Sequence, residues 1–334
     1  MKAIVCARYG SPDVLKFQEV ETPTPDENEV LVEVRAASVN AGDWHLMRAD
    51  PFLIRLMFGL FKPKHQILGS DLAGRVKAVG SRVTRFSVGD EVFGETSSSG
   101  FGAFAEYVAV PEHALVRKPE HLAFEEVAAV PLAALTALQG LRDHGRIKKG
   151  DRVLISGASG GVGAFAVQLA KAFGAEVTGV CSTSKVDMVR SLGADFVIDY
   201  KEEDFTQNGE RYDLILGVGG YHSLFAYKRA LRPGGRYVMT GGKMKQMFEA
   251  MLIGPWLSIF GRKKLGNFIV KPNREDLTTI REMLETRTLS PAIDRCYALR
   301  KVPEAIRYLE AGRAAGKVVI RIEPVRKSEA NLTR

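Results

Sequence analysis

SGASGGVGAFAVQLAKAFG, residues 156–174, places four glycines within seven positions and then runs into a helical apolar pattern. It continues RVLIS (152–156), which reads as a buried strand, so the stretch is strand, tight turn and helix start. Glycines let a backbone approach a phosphate closely, and the N–H groups and dipole of a helix N-terminus receive negative charge. The strict G-x-G-x-x-G spacing is not met: Ala158 stands in the first place, with Gly160 and Gly163 in the other two. On this reading Ser159, Gly160, Gly161, Val162 and Gly163 are candidate contacts to a dinucleotide. The alternative is a tight strand–helix turn that binds nothing.

The flanking sequence supplies the context such a turn needs. From Gly150 onward strands and helices alternate: RVLIS with GVGAFAVQLAKAF, EVTGV with KVDMVRSLG, DFVID, YDLILGV with HSLFAYKRAL, then RYVMTGG. That rhythm implies α/β architecture, a doubly wound parallel sheet with right-handed crossovers. The first ~120 residues read instead as closely spaced short strands, among them KAIVCARY, VLVEVRAASV, AGRVKAVG and FAEYVAV, and imply a β-rich domain. After residue 270 two helix candidates, REDLTTIREMLETR and VPEAIRYLEAG, precede one strand, KVVIRIEP. A lone strand needs a sheet to join, so the tail is expected to return to the β-rich domain. The expected division is residues 1–122 with 271–334, and an inserted α/β domain at 123–270.

The end of the second strand of the inserted domain decides between NAD and NADP. An NAD site offers Asp or Glu there, about 20 residues past the glycines, to the ribose diol. This chain has Gly179-Val180-Cys181-Ser182-Thr183-Ser184-Lys185, with no carboxylate before Asp187. Hydroxyls and a lysine suit a 2′-phosphate, so Ser182, Thr183 and Lys185 point to NADPH. They equally suit a helix cap beside a solvated lysine.

Composition excludes several classes. At 334 residues, 46% hydrophobic and 26% charged, the chain is long enough for two cored domains. A net charge of +8 without a basic block interleaved with aromatics does not predict a nucleic-acid surface. Cys6, Cys181 and Cys296 are too few and too scattered for a disulfide framework and suit a reducing, cytoplasmic setting. MKAIVCARYG reads as a first strand rather than a secretory signal. MLIGPWLSIFG (251–261) is about half as long as a membrane-spanning helix.

SVNAGDWHLMRA (38–49), ILGSDLAGRVKAVGSRV (67–83), GDEVFG (89–94), GAFAEYVAV (102–110), ASGGVG (158–163), LGADFVIDY (192–200) and GKVVI (316–320) occur in an order and spacing that carry a resemblance across essentially the whole chain. The sequence resembles the zinc-independent, zeta-crystallin-like quinone oxidoreductases of the medium-chain dehydrogenase/reductase superfamily. The resemblance implies a GroES-like catalytic domain, an inserted Rossmann domain, NADPH in the cleft between them and commonly a homodimer. Where the superfamily's alcohol dehydrogenases hold catalytic zinc, this chain has Asn40, Ser70 and an apolar residue near Leu132, which lack the thiolates and imidazole zinc requires. His45 and His65 have no partners at ligand spacing, and no metal is expected.

The resemblance further implies Asn40 beside the nicotinamide ribose and His45 as a proton donor, although the family commonly has Tyr there, with Asp43 as a supporting acid or orienting group. Thr136, Tyr200, Thr240, Gly241, Gly242, Phe268, Val270, Gly316 and Lys317 match its cofactor contacts. Gly217 departs from the Asp that relatives commonly carry. The segment 243–264 reads as a helix lining the substrate cleft or a dimer interface, or as an interfacial membrane contact. The expected activity is NADPH-dependent, metal-free reduction of quinones or related conjugated carbonyls. The rivals are alkene reduction of enones, enals or enoyl thioesters, and an NADPH-binding interaction protein that meets RNA or a membrane surface.

Overall fold

The computed structural model describes residues 1–219, 222–241 and 262–323. Gly242, residues 243–261 of the Met-rich segment and the tail from 324 lie outside the described residues. The described chain divides into two compact units. One holds Met1–Ala128, Cys296–Ala311 and the chain from Val318; the other holds Ala129–Arg295 and Gly312–Lys317.

The first unit is built on a seven-stranded sheet whose centre is Glu29–Val39. Asp71–Val79 pairs antiparallel along one side of that strand. On its other side Tyr107–Pro111 pairs with Glu29–Glu33, and the closing strand Lys317–Arg321 pairs with Ala36–Val39. Enclosed on both sides, Val30, Val32, Val34, Ala36 and Ala37 are at most 1% exposed, so this strand forms the core of the unit. Glu91–Glu95 extends the sheet beyond Asp71–Val79.

The second unit is a six-stranded parallel sheet in the order Phe196–Asp199, Glu176–Cys181, Arg152–Ser156, Tyr212–Gly217, Leu231–Met239, Lys264–Asn267. Numbered along the chain this is 3-2-1-4-5-6, the doubly wound arrangement whose strand order reverses beside the first strand. Tyr227, Tyr237, Phe205 and Leu154 pack in its core. Fully burying side chains of this size stabilises by about 1.5–3 kcal/mol each.

The boundaries differ from the sequence expectation: the first unit runs to Ala128, past 122, and within the returning tail residues 271–295 and Gly312–Lys317 fall in the second unit. The helix Arg274–Glu285, expected with the returning tail from 271, lies in the second unit. It buries Leu277, Ile280 and Leu284, and Asp276 ties it to that unit by accepting from Gln139 and pairing with Arg142. Its apolar stripe is visible in sequence, but the helix it packs against, Pro131–Gln139, is not.

Candidate functional site

The glycine turn lies at the carboxyl end of Arg152–Ser156, where the strand order reverses. Backbone bonds tie the turn to its neighbours: Gly157 and Ala158 N–H groups donate to Val180 O, and Val218 and Gly219 N–H groups donate to Ser156 O. Ala158 fits the first glycine position because Gly179 on the adjacent strand leaves room for its methyl; a Cβ on Gly179 would lie 3.1 Å from Ala158 Cβ.

Two glycines of the turn differ in why they are glycine. A Cβ on Gly163 would sit 2.1 Å from Gly157 O, so the packing of the helix Gly161–Ala172 against its own turn requires the residue. A Cβ on Gly160 would meet only Gly157 O, at 3.5 Å, an ordinary contact. The fold leaves that space open at the helix N-terminus, where the N-cap supplies no side-chain bond and the first turn holds no acid. An opening lined by helix N–H groups fits a pyrophosphate.

Gly316, Lys317 and Val162 meet at this helix start, and Thr240 and Gly241 lie at the end of another strand of the same unit. Gly316 N–H donates to Ser159 O at 2.8 Å, and Gly160 and Gly316 form a parallel bridge. Lys317 is 3% exposed, its aliphatic stem lying against Gly161. Val162 occupies the same first turn. Thr240, at the end of Leu231–Met239, has its hydroxyl oxygen buried without a hydrogen-bond partner, a polar atom that a bound group would satisfy. Gly241 lies beside Val218 O.

Other predicted residues are engaged locally. Thr136 donates its hydroxyl to Leu132 O within the helix Pro131–Gln139. Phe268 stacks on His144 at 4.3 Å, and Val270 is half-buried beyond it. Gly217 leaves space that the Tyr237 ring takes: a Cβ there would lie 2.8 Å from the Tyr237 hydroxyl.

At the end of Glu176–Cys181, Ser182 precedes the short turn Thr183–Lys185, and Lys185 Nζ donates to Ala314 O at 2.7 Å. Tyr200 is exposed, its N–H donating to Cys181 O. Asp199, at the end of the third strand, supplies a carboxylate that the sequence of the second strand does not show. The Thr183 hydroxyl and the Lys201 N–H hold its carboxyl below the usual range.

In the first unit Asn40 precedes the helix Ala41–Arg48. Its side-chain amide donates to Asp71 Oδ2 at 2.8 Å and to Ser70 Oγ at 3.3 Å. Asp43, 2% exposed, accepts the N–H of Asn40 at 2.7 Å and of Gly69 at 3.1 Å. Both of its carboxylate oxygens thus meet backbone N–H groups, the contacts expected of an orienting group. His45 stacks on Trp44 with ring centroids 3.6 Å apart, and its Nδ1 lies 2.7 Å from Asp50 O. A carbonyl only accepts, so Nδ1 carries a proton toward Asp50 O, and Nε2 is the ring nitrogen left to face a substrate.

Two further polar groups went unrecognised in the sequence. Register sets Ser38, Asp71 and Glu95 opposite one another on three adjacent strands. Glu95 is 2% exposed; its Oε1 accepts from Ser97 N–H and its Oε2 has no partner. Thr96 donates to Ser70 O. In sequence, GDEVFGET offers only a strand end followed by polar residues.

The chain matches two protein families, the alcohol dehydrogenase GroES-like domain over residues 26–120 and the zinc-binding dehydrogenases over residues 192–320. It is 36% identical to a 2-methylene-furan-3-one reductase of Solanum lycopersicum over 96% of this chain and 79% of that one. With a chloroplastic quinone-oxidoreductase homologue of Spinacia oleracea it shares 33% identity over 96% of this chain and 98% of that one. The quinone oxidoreductase of Coxiella burnetii superposes with a TM-score of 0.87 at 29% identity, covering 97% of this chain and 99% of that one. Zinc, which the second family name implies, does not fit the donors here. The Asn40 nitrogen is a hydrogen-bond donor engaged with Ser70 and Asp71, Ser70 offers a neutral hydroxyl, and Leu132 has no donor side chain.

Proposed function

The chain belongs to the medium-chain dehydrogenase/reductase superfamily, in its zinc-independent quinone oxidoreductase-like branch, and from this premise we propose that it reduces quinones or related conjugated carbonyls with NADPH and without a metal. As an NAD(P)H-dependent oxidoreductase it takes its hydride from a reduced nicotinamide. The observation that carries the reading is the Gly160 opening at the helix N-terminus, with the partnerless Thr240 hydroxyl in the same unit.

Gly161, Val162 and Gly163 offer N–H groups to the pyrophosphate, while Lys185, Ser182 and exposed Tyr200 favour the 2′-phosphate of NADPH over NADH, Thr183 being engaged with the Asp199 carboxylate. Asn40, its amide N–H groups given to Asp71 and Ser70 and its backbone N–H to Asp43, turns its side-chain oxygen, an acceptor, toward a hydroxyl donor such as that of the nicotinamide ribose. A conjugated acceptor delocalises the charge that hydride brings, so no Lewis acid is required. Hydride plus one proton converts a quinone to its hydroquinone, and solvent supplies that proton to the reduced anion.

A homodimer and a cytoplasmic setting accompany this reading. The strand Lys264–Asn267 ends the sheet order of the second unit, and the three cysteines are free. Among the described residues no helix is long and apolar enough to cross a membrane. The alkene-reductase reading draws support from the furanone reductase relative and differs by product, a saturated carbonyl instead of a hydroquinone.

The test is absorbance of the reduced nicotinamide with phenanthrenequinone, NADPH against NADH, with and without chelator. Chelator-insensitive consumption that prefers NADPH is expected. NADH preference would overturn the 2′-phosphate assignment, loss with chelator the metal-free one, and tight NADPH binding without turnover on quinones or enones would favour the interaction protein.

A further inference from the structure

Phe52, Leu53, Leu56, Met57, Leu60 and Phe61 are 64, 55, 69, 78, 48 and 88% exposed, six large apolar side chains turned to solvent within ten consecutive residues. Single exposed apolar residues need no explanation, but a contiguous group marks a surface that meets something apolar. This group is held outward by a firm base. The Tyr9 hydroxyl donates to the carbonyls of Phe58 and Gly59, at 3.1 and 2.7 Å, and Lys64 N–H closes the loop on Phe58 O at 2.7 Å. The Arg55 guanidinium lies over the rings of Tyr9 and Phe52, 4.9 and 5.0 Å from their centroids. Beneath, Pro63 is buried, and Phe58 lies 6.1 Å from Phe101, a residue held at φ +66°.

Charge identifies the occupant. From Pro51 to Ser70 the chain carries Arg55, Lys62 and Lys64 and no acidic residue. A second copy docking by a two-fold contact would bring this positive patch against itself. An anionic bilayer complements both features, headgroups meeting the lysines and acyl chains meeting the apolar side chains.

We propose that residues 52–64 dock the protein on anionic lipid bilayers, with the six apolar side chains entering the interface beside Lys62 and Lys64. The docking surface begins four residues after the helix Ala41–Arg48, which follows Asn40 directly. Resting on the function proposed above, this gives the acceptor a class, hydrophobic quinones or enones dissolved in the bilayer.

The test is flotation of the full chain with vesicles of phosphatidylcholine, alone or with about 30% phosphatidylglycerol. The wild type is expected to float with the anionic vesicles at least about tenfold more than with the neutral ones. A Leu56→Ser/Met57→Ser/Phe61→Ser variant is expected to lose that binding about tenfold while oxidising NADPH with a water-soluble quinone as the wild type does. A Lys62→Glu/Lys64→Glu variant should lose the preference for anionic lipid. Equal flotation of wild type and the serine variant overturns the proposal, as does a self-association abolished by the serine variant without any vesicle binding. Vesicle binding by a chain that turns over no quinone or enone leaves the docking intact and sinks the enzymatic reading alone.

Discussion

Glu95 shows what burial does to a single group. Removal from water and the neighbouring Asp71 and Asp43 carboxylates push its carboxyl up to about 7, although Ser97 donates to it. An unfolded glutamate ionises near ~4.3. Between those values the folded chain keeps a proton that the unfolded chain has released, so stability falls as pH rises through that window and levels off above about 7. The amount is on the order of 3 kcal/mol. Glu95→Gln keeps the shape without the ionisation. In denaturant unfolding the variant should match wild type near pH 5 and exceed it at pH 8; a wild-type stability flat across the window would refute the assignment. At Lys185 the prediction concerns recognition. Its ammonium rests on a neutral carbonyl, that of Ala314, which leaves the charge available to a phosphate. Lys185→Ala should raise KM for NADPH about tenfold and leave KM for NADH unchanged. The run around Lys185 reads as acid-free along the chain because that reading is local, and the fold brings the Asp199 carboxylate to its Thr183. Glu95 and Asp199 were not legible, since their partners come from neighbouring strands and sequence does not print strand register.

The helix Gly161–Ala172 was legible almost to its first residue, because its glycines, its strand and its apolar face are contiguous. What sequence could not distinguish is which glycine the packing requires and which it leaves with open space. Gly163→Ala forces a Cβ to 2.1 Å from a backbone oxygen, and small-to-large strain of this kind costs about 1–3 kcal/mol or more. Gly160→Ala meets only the 3.5 Å contact at extended φ and ψ, so the fold accepts it. Its methyl instead occupies the opening before the helix. Thermal unfolding should therefore fall by several degrees for Gly163→Ala and stay within about 1 °C of wild type for Gly160→Ala. Fluorescence titration with NADPH should show Gly160→Ala weakened at least about tenfold. If Gly160→Ala binds NADPH normally, the pyrophosphate lies elsewhere and the turn is structural.

The return of the chain ties both units to the last described residues. Sequence indicated the return, since an isolated KVVIRIEP needs a sheet, but not that a few residues of the same stretch would serve the other unit. Gly312–Lys317 belongs with the nucleotide-binding sheet, where Gly316 donates to Ser159 O and Lys317 covers Gly161. From Val318 the strand pairs with Ala36–Val39, and Arg321 pairs with Glu125. The helix Val302–Glu310 meets the helix Ala41–Arg48 through a two-pronged Arg48–Glu310 contact at 2.5 and 2.9 Å. A chain ending at Arg295 thus loses two different things. In the first unit the carboxyl half of Glu29–Val39 becomes an open edge with buried valines and alanines beside it, a template for aggregation. In the second, the glycine turn loses the backbone that braces Ser159 and Gly160. Such a truncation should express largely insoluble, and its soluble fraction should bind NADPH far more weakly than the full chain. Adding residues 296–323 as a separate polypeptide during refolding should recover both properties together. Recovery of solubility without NADPH binding would show that the brace at Gly316 has to be covalently continuous with the chain that precedes it, up to Arg295.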